Sequence, residues 1–261
     1  MIDLHSHILP GVDDGSPDLE TSLAMARMAV NEGIKVMACT PHFMPGMHNN
    51  RVADIQTRID TLNGALIAAS IDLPLVMGGD NHIRPDFVAA LISKNIPTIH
   101  NSRYVLFEPP HVMLPPRLTE LLFAILGAGY VPIVTHPERL SWIEQNYSTI
   151  LRLAESGIWM QVTAGALTGR FGPRPQYWAQ RMLQDGVVHI LATDTHNSGS
   201  RPPKLRKALG MAAAELGPQE AHHLVVTRPH AVLVNLAPEK TIPLPRHTRQ
   251  PAHHPRQYFA R

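Results

Sequence analysis

Two histidines and two aspartates lie within eleven residues near the start of the chain, in the stretch HSHILPGVDDG at residues 5–15. One residue separates His5 from His7, and in an extended strand this spacing puts both imidazoles on one face. Imidazole nitrogens and carboxylate oxygens are common protein ligands of divalent transition metals. A His-x-His pair is weak evidence alone, so a metal site depends on further ligands elsewhere in the chain.

Further residues of the same ligand types occur along the chain. With the first stretch they make five histidines and four carboxylates: His5, His7, Asp14, His42, Asp80, Glu108, His136, Asp194 and His196. One ion does not need so many ligands, so the set predicts two or three divalent ions. Mixed nitrogen and oxygen ligands admit manganese, iron or zinc. Three such ions would outweigh the four carboxylates in charge, and a positive site suits an anionic, phosphate-bearing substrate.

Alternating strands and helices must position these residues. Seven runs have strand character, at residues 2–5, 35–40, 74–79, 103–108, 131–136, 158–163 and 188–193. Helical stretches between successive runs, for example at 51–70, 115–127 and 145–156, would make the strands parallel. The ligand types lie at or just past the ends of six strands, as in the active sites of α/β barrels. We therefore predict an α/β fold with a (β/α)7, TIM-like barrel; a doubly wound sheet is the alternative.

The first helix has sequence signals at both ends. Ser16 is predicted as the N-cap, with Pro17 at the first helical position. Gly33 is predicted to end the helix, since glycine readily adopts the left-handed conformation found at helix C-termini.

Two arginines near the predicted ligands could bind a phosphoryl group. Arg139 lies three residues after His136, and Arg201 lies in the stretch SRPP at 200–203. Because a guanidinium group can bind two phosphate oxygens at once, we predict that both arginines clamp phosphate. Surface salt bridges are the alternative interpretation.

Several motifs resemble the polymerase and histidinol phosphatase (PHP) superfamily: HSHILPGVDDG, TPH at 40–42, HPER at 136–139 and TDTHN at 193–197. Within it, SRYVLFE at 102–108 and SRPP resemble the bacterial manganese-dependent protein-tyrosine phosphatases of capsule and exopolysaccharide clusters. The resemblance runs from residue 1 to about 235. It implies a distorted seven-stranded barrel with a trinuclear centre, occupied by Mn²⁺.

The resemblance also implies which residues hold each ion. It gives three sets, with Asp80 shared by the first two: His5, His7, Asp80 and Asp194; Asp80, Glu108 and His136; Asp14, His42 and His196. The family usually has glutamate at the bridging position, where this chain has the shorter Asp80. Either the backbone lies closer to the ions, helped by Gly78 and Gly79, or the bridge is weaker.

Neighbouring residues of similar chemistry are given no ligand role. Asp13 could bind a metal, but by its position in the motif Asp14 is the predicted ligand. His82 and His111 lie near predicted ligands, and we interpret both as structural.

The predicted reaction is hydrolysis of a phosphate monoester by a metal-bound hydroxide. By resemblance the substrate is the phosphotyrosine tail of a bacterial tyrosine autokinase that controls polysaccharide export. Three alternatives stay open: a small-molecule phosphatase of the histidinol-phosphate type, a barrel amidohydrolase, and a non-enzymatic metal-binding regulatory module. A cysteine-based phosphatase is excluded, because the residue six positions after Cys39 is Pro45 and not arginine.

Composition divides the chain into a body and a basic tail. We predict a metal-dependent phosphatase domain at residues 1–236 and a disordered Pro/His/Arg-rich tail at 237–261. Residues 243–261 hold four arginines and no acid, so the formal charge of +2 becomes −2 without them. The body has no basic stripe for nucleic acid and no apolar run long enough for membrane insertion. With one cysteine and no leader before the first ligands, we expect a cytoplasmic protein.

Overall fold

Short parallel strands alternate with helices in the computed structural model, which describes residues 1–245. Within that range the strands are β1 (Ile2–Asp3), β2 (Val36–Cys39), β3 (His42–Phe43), β4 (Leu75–Met77), β5 (Asp80–His82), β6 (Tyr104–Glu108), β7 (Val131–Thr135), β8 (Trp159–Thr163) and β9 (Ile190–Ala192). They form two parallel sheets, one in the order β1-β2-β4 and the other in the order β3-β5-β6-β7-β8-β9. The α/β class with parallel strands, predicted from the sequence, is therefore confirmed.

The helices are α1 (Leu19–Glu32), α2 (Val52–Ala68), α3 (Phe87–Ile92), α4 (Leu118–Gly127), α5 (Ile143–Glu155), α6 (Ala164–Leu167), α7 (Pro173–Gln184), α8 (Arg206–Leu216), α9 (Pro218–His222) and α10 (Arg228–Leu233). Their apolar residues recur at helical spacing. In α2 the buried residues are Ile55, Ile59, Leu62 and Leu66, which share one face of the helix. No helix in residues 1–245 combines the length and the hydrophobicity that a membrane span requires.

The structure confirms the parallel strands of the predicted barrel but not its closure, because the described residues contain no single closed sheet. The predicted runs 35–40 and 74–79 each end at a break, after which a second short strand joins the other sheet. Gly78 and Gly79 occupy one break, and a Cβ at either would lie within 2.8 Å of a neighbouring side chain. Between the ends of β1 and β9, the Asp194 N–H donates to the His5 carbonyl at 2.9 Å.

The start of α1 differs from the prediction. The N-cap is Asp18, whose carboxylate accepts a hydrogen bond from the Thr21 N–H at 2.8 Å. Ser16 is instead buried, and its hydroxyl donates to the Asp18 carbonyl and accepts from the Ser22 hydroxyl. Gly33 ends the helix as predicted, with a φ of 91°.

Strand alternation sets which side chains face the site. In β6, Val105 and Phe107 pack in the large hydrophobic cluster that includes the helices, whereas Tyr104 and Leu106 pack in a smaller cluster formed by residues of both sheets. Glu108 has the same parity as Tyr104 and Leu106, so it projects on the side shared by the two sheets.

The last described residues contact the body of the protein. The buried Arg228 donates hydrogen bonds to the carbonyls of Ile242 and Pro243. Residues 246–261 of the predicted tail lie outside the described residues. The domain boundary at 236 stays a prediction.

Candidate metal centre

The structure brings all nine predicted ligands into one cluster at the carboxyl ends of the strands. The ligand atoms within each of four sets lie no more than 4.8 Å from one another: His7, Asp14, His42 and His196; His5, His7 and Asp80; His5, His136 and Asp194; Glu108, His111 and His136. Glu108 ends β6 and His136 directly follows β7, whereas His42 and Asp80 open the short strands β3 and β5. The other strand-end ligands lie within four residues after β1 or β9: His5, His7, Asp194 and His196. Asp14 comes instead from the loop between β1 and α1.

Three of the histidines are oriented in the same way. The Nδ1 atom of His7 lies 2.8 Å from Asp13 Oδ2, that of His5 lies 2.7 Å from Gln161 Oε1, and that of His196 lies 3.1 Å from a backbone carbonyl. Each Nδ1–H therefore donates outward, which directs the Nε2 lone pair into the cluster. Metal-binding histidines are held by such outer hydrogen bonds.

Two of these lone pairs face each other across a short gap. His5 Nε2 and His7 Nε2 lie 3.3 Å apart, and neither has a proton to share when both rings are neutral with the proton on Nδ1. Among the described residues, the buried Asp80 Oδ2 and His136 Nδ1 have no hydrogen-bond partner. Facing acceptors and an unpartnered carboxylate oxygen are what a bound cation would satisfy, so the donor set fits divalent metal ions.

The carboxylates and imidazoles also shift each other's pKa. Burial alone would lower the pKa of His5, but the nearby Asp80 and Asp194 carboxylates raise it to about 9. Contacts with Asp14 and Glu108 likewise outweigh burial and raise the pKa of His42 to about 11. These sites therefore favour a positive charge, which a proton supplies when no metal ion does.

Asp13 and Asp14 have different roles in the structure. Asp14 Oδ1 lies 3.4 Å from the Nε2 atoms of both His42 and His196. Asp13 instead accepts hydrogen bonds from His7 Nδ1 and from the backbone N–H groups of Gly15 and His42, each between 2.8 and 3.0 Å. Its oxygens are thus occupied within the chain, and the geometry supports Asp14 as the ligand.

Glu108 has histidine neighbours that the sequence interpretation missed. Its Oε2 atom lies 2.5 Å from His82 Nε2 and 3.3 Å from His42 Nδ1, and its Oε1 atom lies 3.2 Å from His111 Nε2. His82 follows Asp80 by two residues in the same strand, so its alternation was a usable signal. His111 lies beyond Pro109 and Pro110, where no periodicity predicts the direction of a side chain.

The two predicted clamp arginines converge on one carboxylate oxygen. Arg139 Nη1 lies 2.5 Å and Arg201 Nη2 lies 2.6 Å from Asp194 Oδ2. The ring of Phe171 contacts both guanidinium groups, with its centroid 4.6 Å from Arg139 Cζ and 5.7 Å from Arg201 Cζ. Both arginines are partly exposed, so an anion from solvent can reach them beside the cluster.

Comparisons with known proteins agree over most of the chain. A sequence model described as "Capsular polysaccharide synthesis, CpsB/CapC" matches residues 1–234. The tyrosine-protein phosphatase YwqE of Bacillus subtilis is 34% identical over 217 residues, which are 83% of this chain and 85% of that protein. The tyrosine-protein phosphatase CpsB of Streptococcus pneumoniae is 28% identical over 240 residues, covering 90% of this chain and 99% of that protein.

A solved structure shows the same fold. A crystal structure from work on YwqE of Bacillus subtilis and CpsB of Streptococcus pneumoniae, described there as metal-dependent tyrosine phosphatases, superposes with a TM-score of 0.87. The sequence identity is 32%, and the match covers 94% of this chain and 100% of that one.

Proposed function

The chain belongs to the CpsB/CapC family of capsular polysaccharide synthesis proteins, and on that premise we propose that it is a metal-dependent protein-tyrosine phosphatase. Its relatives YwqE and CpsB are named tyrosine-protein phosphatases, and the similar crystal structure is described as metal-dependent. The resemblance predicted from the sequence motifs is thereby confirmed. The observation that carries the proposal is the convergence of nine ligand-type side chains beside two arginines.

We infer that the nine residues hold two to three divalent ions, Mn²⁺ in the first place, with iron or zinc as alternatives. When bound, such ions lower the pKa of a coordinated water toward ~7 and neutralise phosphoryl oxygens. The neutral imidazole that metal binding needs is favoured at His136, because burial and the positive charge of Arg139 lower the pKa of His136 to about 4. Asp13 and Gln161 fix the tautomers of His7 and His5 through their Nδ1 atoms.

The arginines would bind the phosphoryl group of the substrate. Arg139 and Arg201 both point at Asp194 Oδ2, and a metal-bound Asp194 would compete less for their N–H donors. A bound phosphoryl group then supplies oxygens for both guanidinium groups, which favours the transition state as its equatorial charge develops. A phenolate leaving group, with a pKa of ~10, needs less protonation than an alkoxide.

The biological setting follows the family. We propose that the substrate is the phosphotyrosine tail of a bacterial tyrosine autokinase that regulates capsule synthesis, since the family is described by that pathway. A reducing, cytoplasmic location is supported by the single cysteine, the buried Cys39. We also propose that the two sheets together form a distorted seven-stranded barrel, supported by the parallel bridge between Ser6 and Thr195.

The proposal is tested by phosphate release from a phosphotyrosyl peptide. Chelated protein should be inactive, protein resupplied with Mn²⁺ should be active, and His136→Ala should stay inactive under both conditions. Activity on histidinol phosphate with none on the peptide would overturn the proposal in favour of a small-molecule phosphatase. Metal-loaded protein that hydrolyses no phosphoester would point to a regulatory module.

A further inference from the structure

A narrow apolar cleft opens beside the metal centre. Its volume is about 390 Å³, and three loops supply its apolar walls: Met44, Pro45, Ile83, Pro85, Pro109 and Pro110. Arg84 also lines the cleft, but its guanidinium forms two hydrogen bonds with Asp86, at 2.6 and 2.8 Å. The cleft therefore offers a mainly neutral, apolar surface.

The cleft is continuous with the metal centre through two histidines. His82 and His111 line it, and both contact Glu108, on opposite carboxylate oxygens. The clamp arginines instead contact Asp194, which follows β9, three strands away from Glu108 in the sheet order β6-β7-β8-β9. His136 links the two sides, because its Nε2 lies 3.7 Å from Glu108 Oε1 and a ring nitrogen lies within 4.8 Å of an Asp194 carboxylate oxygen. A phosphoryl group over this cluster would therefore have the arginines on one side and the cleft on the other.

The walls of the cleft are held in place before any ligand binds. Four of the lining residues are prolines, whose φ angles are fixed by the ring. The Ile83 N–H donates to the Glu108 carbonyl at 3.1 Å, and Trp142 Nε1 donates to the Pro110 carbonyl at 2.9 Å. A flat apolar group can enter such a cleft with little loss of conformational entropy.

We propose that this cleft binds the aromatic ring of the phosphotyrosine, so that the site selects aryl over alkyl phosphates. The assignment rests on the proposed function and names where its substrate is recognised. The cleft lies in the volume range of small-ligand sites, roughly 300–1,000 Å³. A tyrosine ring fits its apolar walls, whereas the side chain of phosphoserine or phosphothreonine is too short to fill them.

The test compares two non-hydrolysable anions that differ only in the organic group. Phenylphosphonate and methylphosphonate are titrated calorimetrically into the Mn²⁺-loaded full-length protein. We expect phenylphosphonate to bind at least about tenfold more tightly. In Ile83→Ser and Met44→Ser the ratio of phenylphosphonate to methylphosphonate affinity should fall below about three, with the affinity for methylphosphonate unchanged. Met113→Ser is the control, because Met113 is 57% exposed and lies outside the cleft.

A ratio near one in the wild-type protein would overturn the assignment, and so would a ratio that both cleft variants leave intact. The affinity for methylphosphonate reports whether a variant has kept its folded anion site. Because phosphonates bind without hydrolysis, an aryl preference in a protein that does not release phosphate from the peptide would support the cleft and contradict the phosphatase activity. Hydrolysis of the peptide by a protein without aryl preference would support the phosphatase activity and contradict the cleft assignment.

Discussion

Two regions that bury charge among residues 1–245 differ in how that charge is balanced. Near its last described residues, Arg228 is fully buried and each guanidinium nitrogen meets an acceptor: Glu220 Oε1 at 2.7 Å, the Pro243 carbonyl at 2.8 Å and the Ile242 carbonyl at 3.2 Å. In the metal centre, by contrast, two imidazole nitrogens face each other at 3.3 Å and Asp80 Oδ2 has no hydrogen-bond partner among the described residues.

The difference separates a structural role from a functional one. A buried charge that the chain balances completely contributes to a defined fold, and removing its partner exposes an uncompensated charge. A buried set of acceptors that the chain leaves incomplete is balanced only when a cation binds. Substitutions in the first region should therefore lower stability, and substitutions in the second should lower metal binding and activity.

The largest effect is expected at Arg228. Arg228→Met leaves the Glu220 carboxylate, 13% exposed, without its cation, and should lower the free energy of unfolding by about 3–5 kcal/mol. Urea denaturation of chelated protein measures this change. The double variant Arg228→Met/Glu220→Leu should recover much of the loss, and kcat/KM of the folded, metal-loaded molecules should stay close to the wild-type value. If Arg228→Met were as stable as the wild type, the structural role of Arg228 would be contradicted.

The opposite pattern is expected at Asp14, whose side chain is 56% exposed. Asp14→Asn removes the negative charge shared by His42 and His196, so it should lower kcat/KM on a phosphotyrosyl peptide by about 100-fold or more. The unfolding free energy of the chelated protein should change by less than about 1 kcal/mol. Asp18→Asn, at the exposed N-cap of α1, is the matched control and should keep full activity. An equal loss of kcat/KM in Asp14→Asn and Asp18→Asn would contradict the role of Asp14 as a metal ligand.

A pH dependence is expected from His189, which is buried and accepts a hydrogen bond from the Met160 N–H. Burial, followed by the positive charge of Arg228, lowers the pKa of His189 to about 3. Between pH 6.5 and 3 the unfolded chain therefore binds more protons at this residue than the folded chain, so stability falls as the pH falls. Protonation of His189 in the unfolded chain should lower the free energy of unfolding by about 2 kcal/mol between pH 7 and pH 5.

The measurement is urea denaturation of chelated wild type and His189→Gln at both pH values. Other histidines titrate in both proteins, so the difference between the two pH slopes isolates His189. Identical slopes would show that the ring of His189 is not held neutral by the fold.

The smallest effect is expected at Phe171. Its ring contacts both clamp arginines, and the adjacent Arg170 donates a hydrogen bond to the Ser200 carbonyl, next to Arg201. Phe171→Leu should weaken binding of inorganic phosphate about fivefold through lost cation–π contacts. Phe171→Tyr keeps the ring and should bind phosphate like the wild type. Unchanged phosphate binding in Phe171→Leu, at unchanged metal content, would contradict a positioning role.

Local patterns predicted much of the fold. The predicted helices 51–70, 115–127 and 145–156 correspond to α2, α4 and α5 within three residues at each end. Two features could not be read from the sequence. Asp18 and not Ser16 is the N-cap, because the Ser16 hydroxyl is occupied by hydrogen bonds with Ser22 and the Asp18 carbonyl. The division into two sheets arises where Gly78 and Gly79 pass close to neighbouring side chains.

The site was predictable where it depends on strand ends, and less so where it depends on distant contacts. All nine predicted ligands come together, because parallel strands carry eight of them to one edge and the loop after β1 supplies Asp14. Gln161 orients His5 from 156 residues away, and its only sequence signal is an amide side chain in the middle of a buried strand. Phe171 lies in a turn between α6 and α7, where nothing in the sequence indicates that its ring reaches both arginines.

The number of ions bound per chain tests the central claim most directly. Protein is stripped with a chelator, reloaded with excess Mn²⁺, passed through gel filtration and analysed for metal. We predict two to three ions per chain for the wild type and about one fewer for Asp14→Asn. A folded chain that retains less than one ion after reloading would contradict the claim that this cluster is a multinuclear metal centre.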